Sequence, residues 1–410
     1  MKKLLIIGAS IGQLPLLKKA KERGIHVTVA SIPGNYCCFE YADDIIYKDI
    51  YDREGIVEEA KRRRITAVIS DQNDLMMPTV AYVAEKLGLP GNRFDTVKSY
   101  CDKNKFRSVC DKVGVPCPKH IAVPSIDDDL SVFDAPLPWI IKPADSQSSI
   151  GISRIDKKED LMQALELALA KSPTHSAIIE EFFEGQELVC EGFIDNGKYY
   201  NLLFGDRQYF RLDNCPIPSQ TLFPSIVDKQ VLGSIQYYEQ ALASYTCPSF
   251  AIVHSEYLYN SESGEIRIVE SALRGGGVYI SSHLVPLSTG IDINDILLDK
   301  ALGKNVNTEL LFKNKTNNAA GYVCFYLEPG VVSSVEGAEK IGQRSDIVLA
   351  DINNIQPGFV AKKMEYKGMR LGPFIMKGKY RNEIETTVRW LHDNYCVKMV
   401  GNTKNAVIWE

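Results

Sequence analysis

The sequence predicts an α/β protein that opens with a parallel sheet and continues as a mixed α+β body with a β-rich end. Three observations carry this. Over residues 1–98, short apolar runs alternate with amphipathic helical patterns, the sequence form of βαβ units. Further on, long strand-like stretches flank an Asn196-Gly197 turn signal, and a second pair flanks Ser261-Glu262-Ser263-Gly264. After residue 310 come short strands, Gly and Pro turns, and one helix near 382–395. At about 150 residues per domain, the 410 residues fit about three domains.

Residues 3–8 are a buried-strand run ending at Gly8, followed by a helical pattern through Arg23, which Gly24 stops. Residues 25–30 form a second strand. A helix over about 52–64, a strand at 67–70 and a helix over 77–87, stopped by Gly88, complete an open, Rossmann-like sheet. Gly8 and Gly12 do not give the G-x-G-x-x-G spacing of a dinucleotide site, and the second strand ends Val29-Ala30-Ser31 without an acid. A nicotinamide oxidoreductase is disfavoured on both counts. Residues 8–13 and 71–74 still lie where open α/β sheets bind ligands, outside strand C-termini.

Residues 100–118 read as one helix and a turn, and 126–138 as an acidic, Pro-rich surface loop. A strand at 139–143 and its continuation at 152–155 make a hairpin around a small-residue loop, 145–151. Leu161, Leu165 and Leu169 mark an amphipathic helix over 158–170. Strands follow at 177–181, 188–195 and 199–206, then a helix over 228–245.

Composition is that of a globular chain, 45% hydrophobic and 24% charged, which excludes disordered, collagen-like and disulfide-scaffold classes. No apolar run approaches the roughly 18 residues of a membrane span. The start, Met1-Lys2-Lys3 and four apolar residues into Gly8, is too short for a signal peptide. Net charge is −5, and the densest basic run, Lys61-Arg62-Arg63-Arg64, ends a helix, where cations favour the dipole. No nucleic-acid footprint is present. The ten cysteines include no C-x-x-C pair, which argues against structural zinc and for a reducing, cytoplasmic setting.

The strongest chemical signal is the hairpin 250–259/265–272. A turn centred on Ser263 places Glu256 opposite Glu270, His254 opposite Ala272, and Leu258 with Ile268 on the same face. Like charges directly opposite are destabilising. A hard cation, Mg²⁺ or Mn²⁺, removes the conflict and brings phosphate oxygens with it. Two solvated carboxylates would also satisfy the pattern, although Leu258 and Ile268 argue against full exposure. Arg274, followed by Gly275-Gly276-Gly277, suits stabilisation of a developing anion; an Arg paired to a nearby acid is the plainer reading. Lys142 lies inside an apolar strand, where an ammonium is costly without an anion, and the loop 146–151 offers N–H groups to phosphates. The segment Glu180-Glu181-Phe182-Phe183-Glu184-Gly185-Gln186-Glu187 suits an adenine edge and ribose hydroxyls, or is an exposed acidic turn.

In order, Asp102-Lys103, Lys142 with its loop, Glu180 to Glu187, Glu256, and Glu270 to Arg274 make a set that resembles the ATP-grasp superfamily. It looks most like the carboxylate–amine ligases, with an architecture similar to biotin carboxylase and the purine-pathway carboxylases. The resemblance implies a Rossmann-like domain over 1–98, an ATP-grasp body over 99–310 (small lobe about 115–182, large lobe about 183–310) and a β-rich domain over 311–410. It implies that Lys103, with Lys105 as a competitor, and Lys142 bind ATP phosphates, and that Ser148, Ser149 and Gly151 close over them. Glu180 and the backbones of Glu181 and Phe183 would read adenine, Leu258 would pack on its ring, and Glu187 would hold ribose. Glu256 and Glu270 would bind magnesium, and Arg274 would steady an acyl phosphate.

Two departures stand out. The family usually has Asn where this chain has Ala272, so a water or His254 would complete the metal shell, the water being the plainer choice. The phosphate loop is also serine-rich. The implied reaction joins a small carboxylate to an amine with release of ADP. The alternatives are a bicarbonate-using carboxylase and a non-catalytic ATP-binding protein. His283 is the sole candidate base after the glycines and reads more simply as structural. A homodimer is the assembly the resemblance suggests.

Overall fold

The computed structural model describes residues 2–128, 130–146, 150–212 and 217–410. The first sheet is parallel, in the order β3-β2-β1-β4, from β1 (Lys3–Ile7), β2 (His26–Ser31), β3 (Asp44–Tyr47) and β4 (Ala67–Ile69). Helices α1 (Leu14–Glu22), α2 (Arg53–Arg63) and α3 (Met77–Leu87) connect it. Asp52 caps α2 by accepting Gly55 N–H at 3.0 Å, and Gly88 ends α3 in the left-handed region. The sequence reading omitted β3: only Ile46 of its four residues is buried, so no apolar run marks it.

The single helix expected over 100–118 is two helices, α4 (Phe94–Cys101) and α5 (Lys103–Val113). Asp102 is extended between them and accepts Lys105 N–H at 3.2 Å, capping α5. A second, antiparallel sheet, β5-β8-β6-β7, follows from β5 (His120–Val123), β6 (Trp139–Pro143), β7 (Ser153–Ile155) and β8 (Ala177–Glu181). Helix α6 (Leu161–Lys171) covers one face, burying Leu165 and Ala168 against Trp139, Ile141 and Ile179. Alternation sends Lys142 and Glu180 to the other face.

The third sheet is built on a hairpin of β9 (Gln186–Asp195) and β10 (Lys198–Tyr209), turned by Asn196 and Gly197 at φ 50° and 76°. With β11 (Pro218–Phe223), β12 (Phe250–Tyr259) and β13 (Ile266–Ala272), the order is β13-β12-β9-β10-β11. Helix α7 (Lys229–Thr246) packs beneath. Helices α8 (Val285–Thr289), α9 (Ile293–Ala301) and α10 (Thr308–Lys313) lead to β14 (Ala319–Leu327), which pairs with β11 and carries the sheet across residue 310. One apolar core runs from Leu4, Ile6 and Val27 of the first sheet through Leu298 of α9 to Phe193 and Ile252 of the third. Lys19–Asp292 at 2.5 Å and Arg23–Asp295 at 3.1 Å tie α1 to α9. The N-terminal sheet is thereby fixed over the start of β12 and the end of β13.

Glu239 of α7 is fully buried and accepts the Tyr257 hydroxyl at 2.6 Å. Burial pushes its carboxyl up to about 7. A carboxyl raised in the fold stabilises below its unfolded value near 4.3, and that contribution is lost as pH rises through 7. Glu239→Gln keeps an acceptor without the charge. It is expected to be more stable than wild type at pH 8, by up to about 3 kcal/mol, and to lose this advantage at pH 4.5. Denaturation midpoints at the two pH values check it.

Candidate active site

Glu180 stands at the end of β8 between two cations. Arg107 Nε of α5 donates to Oε1 at 2.8 Å, and Lys142 Nζ of β6 reaches Oε2 at 2.6 Å. All three are buried. Burial opposes the charged carboxylate, yet Arg107 and then Lys142 outweigh it and hold Glu180 down at about 2. Arg107 Nη2 also donates to the Val269 carbonyl at 2.8 Å, joining the small sheet to β13. Arg107 Nη1 is buried with no hydrogen-bond partner among the described residues, an unused donor in the cleft. Lys103 Nζ donates to the Ser146 carbonyl at 2.7 Å, at the root of the serine-rich loop, and burial lowers its pKa.

On the third sheet, Glu256 lies opposite Glu270 and His254 opposite Ala272, the register read from the turn. The register then slips. A bulge beyond Glu256 pairs Tyr257 with Ile268 and Leu258 with Arg267. Ile268 therefore joins Tyr257 in the core, and the expectation that it shares a face with Leu258 is corrected. The bulge leaves Val269 over, and its carbonyl is the one that takes Arg107.

Glu256 does not stand alone. Arg207 of β10 bridges it to Glu187, 2.8 Å from Glu187 Oε1, and Tyr209 donates to the same Glu187. His254 lies between Glu191, bonded through Nδ1, and Glu256, 3.2 Å from Nε2. Burial disfavours the imidazolium, but Glu191 outweighs it and raises His254 to about 9. Burial, then repulsion by Glu256, pushes Glu187 up to about 7. Glu256 is held well below its usual range: Arg207 and His254 overcome burial.

Beyond β13 the chain turns through the three glycines. Arg274 grips Asp74, in the turn after β4, through two of its nitrogens, Nε–Oδ1 at 3.1 Å and Nη2–Oδ2 at 2.8 Å, and stands 3.9 Å from Glu270. Gly275 N–H donates to Asp71 at 2.7 Å, as does the Ser281 hydroxyl. A Cβ on Gly275 would strike Ser281, and one on Gly276 would strike Glu191 and His254, so glycine is required there. Val278 and Tyr279 follow at φ 56° and 59°. A β-branched residue in the left-handed region is strained, and such strain concentrates at functional sites. The plainer reading of Arg274 as an acid-paired Arg is realised, with the acid from the N-terminal sheet.

Glu187, Glu191 and Asp74 are thus each engaged by Arg207, His254 or Arg274. The opposed oxygens of Glu256 and Glu270 are the pair that suits a divalent cation.

The fold recurs in solved structures. The chain superposes on an L-amino acid ligase from Bacillus licheniformis with a TM-score of 0.80, at 20% identity, covering 97% of this chain and 99% of that one. Phosphoribosylglycinamide synthetase from Anaerococcus prevotii gives 0.76 at 21%, again covering 97% and 99%. The fold is ATP-grasp. Residues 110–209 match the family model described as the D-ala D-ala ligase C-terminus. By sequence the chain resembles alanine–anticapsin ligase of Bacillus subtilis, 26% identical over 273 residues, 60% of this chain and 56% of that one. It spans about 56–60% of the length of the alanine–anticapsin ligases it matches.

The ATP-grasp cleft gathers the sequence-derived residues into two groups, one on each sheet. Lys103, Lys142 and Glu180 meet at the small sheet, while Glu187, Glu256, Glu270 and Arg274 meet at the large one. Ser148 and Ser149 lie outside the described residues. Gly151 is described, with φ 75° and packed on Pro143 and Lys171 where a side chain would collide. Glu181 donates its N–H to the Lys119 carbonyl at 2.9 Å and accepts Lys119 N–H at 3.0 Å through its side chain. The Arg267 guanidinium lies 5.1 Å over the Phe183 ring, and Arg267 is also the register partner of Leu258. His283 is half-buried, bonded to Ser282 and edge-on to Tyr279. Sequence reasoning missed Arg107, Arg207 and Glu191, and it placed Asp71 and Asp74 at a ligand-binding strand end without their partners Arg274, Gly275 and Ser281.

Proposed function

We propose that this chain is an ATP-dependent ligase that activates a small carboxylate as an acyl phosphate and joins it to an amine. The observation that carries the reading is the opposed pair Glu256 and Glu270, with Arg274 beside them. It supports the metal assignment because two carboxylates facing each other across the hairpin offer a hard cation oxygen ligands from both strands. A divalent cation held by Glu256 and Glu270 would neutralise the transferring phosphoryl oxygens. His254 is bonded to carboxylates through both ring nitrogens, which leaves neither free for a metal. Water therefore remains the replacement for the missing Asn at Ala272.

The chain's own residues then divide the work. Lys142 and Lys103 draw in the phosphates, over which Gly151 and the serine-rich loop would close. Glu180, fixed by Arg107 and Lys142, and the Glu181 and Phe183 backbones take adenine, with Glu181 left its carbonyl since its N–H is engaged. Leu258 covers the ring and Glu187 receives ribose. A substrate carboxylate oxygen attacks the γ-phosphorus and ADP leaves. The amine attacks the acyl carbon, phosphate leaves and a proton is released. Arg274 stabilises the oxyanion formed in that step. Exclusion of water by the closed cleft protects the acyl phosphate. The units 1–98, 99–310 and 311–410, a homodimer, and a cytoplasmic setting consistent with nine free described cysteines belong to the same reading. Among the described residues no helix is long and apolar enough to cross a membrane.

The test is ADP release with Mg²⁺ and ATP across carboxylates, amino acids and bicarbonate, with and without amines. Release that needs a carboxylate and an amine together supports the ligase; release with bicarbonate alone supports the carboxylase and overturns it. Lys142→Ala is expected to weaken ATP binding about 10–100-fold, the scale of one charge-assisted hydrogen bond. Unchanged affinity in a calorimetric titration counts against the assignment of Lys142.

A further inference from the structure

A second cluster of ligating side chains lies at the far end of α5, apart from the carboxylates just described. Asp111 is in the last turn of α5, Cys117 is in the connection that Gly114 begins, and His120 opens β5. One ligand atom from each lies within 4.8 Å of the other two. The Cys117 sulfur is 3.8 Å from Asp111 Oδ1 and 3.8 Å from His120 Nδ1, and His120 Nε2 is 3.4 Å from Asp111 Oδ2. Ligands around tetrahedral zinc, with bonds of about 2.0–2.3 Å, stand roughly 3.3–3.5 Å apart; Asp111 and His120 Nε2 already meet this, and the thiol, which stands beside Nδ1, closes the site by turning toward Nε2. His120 Nδ1 is 3.0 Å from the Pro118 carbonyl. That bond fixes the ring and leaves Nε2 to bind, the outer-shell arrangement of zinc-ligating histidines.

We propose that Asp111, Cys117 and His120 form a three-ligand site for a zinc-class divalent ion, separate from the magnesium carboxylates and with its fourth position open to solvent at exposed Asp111. The donor set decides the class. One thiolate, one imidazole and one carboxylate suit Zn²⁺ or Co²⁺, whereas Mg²⁺ takes the all-oxygen pair. This site escapes the C-x-x-C criterion because it uses a Cys-x-x-His pair and one helical acid. It also has a route to the cleft. His120 is the register partner of Glu180, and Asp111 lies one helical turn beyond Arg107. An ion here would lock α5 to β5 beside the pair that holds the adenine-side carboxylate.

The experiment titrates Co²⁺ into the chelator-stripped, reduced protein with excess Mg²⁺ present. The expected result is one equivalent bound with thiolate-to-cobalt charge-transfer absorption, displaced by Zn²⁺. Cys117→Ser abolishes the absorption. His120→Ala and Asp111→Ala, the latter at an exposed position that leaves folding intact, weaken binding at least ~10-fold. Glu270→Gln leaves it unchanged, which separates this site from the proposed magnesium site. No charge-transfer absorption in the wild type, or the same absorption in Cys117→Ser, overturns the proposal.

Discussion

Glu270→Gln is expected to lower ADP release by roughly 10³-fold while the fold keeps its stability, the loss being comparable to removing a preorganised charge-stabilising group. The reasoning starts from exposure. The Glu270 side chain is 42% exposed, and its ion-pair contact is Arg274 at 3.9 Å. An amide of the same shape therefore leaves little behind that is buried and unsatisfied, and stability should stay within about 0.5 kcal/mol. What it removes is one of the two charges facing each other across β12 and β13, and with it an anionic oxygen for a hard cation. Glu256 is the poorer test. It is buried and holds Arg207 and His254, so its loss would mix metal binding with the collapse of that network. The measurement is coupled ADP release beside a thermal melt. Wild-type turnover in Glu270→Gln sinks the metal assignment, and lost turnover with a lowered melting temperature would assign the defect to folding instead.

Much of this site was legible because its signals are local. The opposition of Glu256 and Glu270 follows from one turn and a period of two, and it held across that part of the hairpin. The slip after Glu256 was not legible. A bulge is set by what the extra residue meets, and Val269 meets Arg107 from a helix 162 positions away. Arg207 gave no sign for a similar reason. It sits between Asp206 and Gln208 in an ordinary strand, and its meaning comes from Glu187 on β9 and Glu256 on β12. Asp74 and Asp71 were placed rightly at a strand's end, but their partners, Arg274, Gly275 and Ser281, are some 200 residues on. Strands β5 and β11 lacked long apolar runs, so pairing alone defines them. Serine-loop residues 148 and 149 rest on the motif order alone.

Arg207→Met is expected to cost about 3–5 kcal/mol, the usual loss when one partner of a buried ion pair is removed. The side chain is 6% exposed and joins Glu187 to Glu256, with Nε 3.3 Å from the Thr221 hydroxyl. Methionine fills similar volume, so the cost falls on charge. Without the guanidinium, two buried carboxylates face each other, and one must take up a proton. Its folded-state pKa then lies above the unfolded value near 4.3. The variant is closest to wild type below that value and falls away as pH rises through the raised pKa, which in wild-type Glu187 is already about 7. A cation held by Glu256 should stand in for the lost guanidinium. Millimolar Mg²⁺ with ATP is therefore expected to raise the melting temperature of Arg207→Met more than that of wild type, since binding to the folded state alone adds stability. Melting curves at pH 5 and 8, with and without Mg²⁺ and ATP, check both effects. A loss independent of pH and of Mg²⁺ would mean that Arg207 serves packing alone, and that Glu187 and Glu256 do not share the charge balance argued for the site.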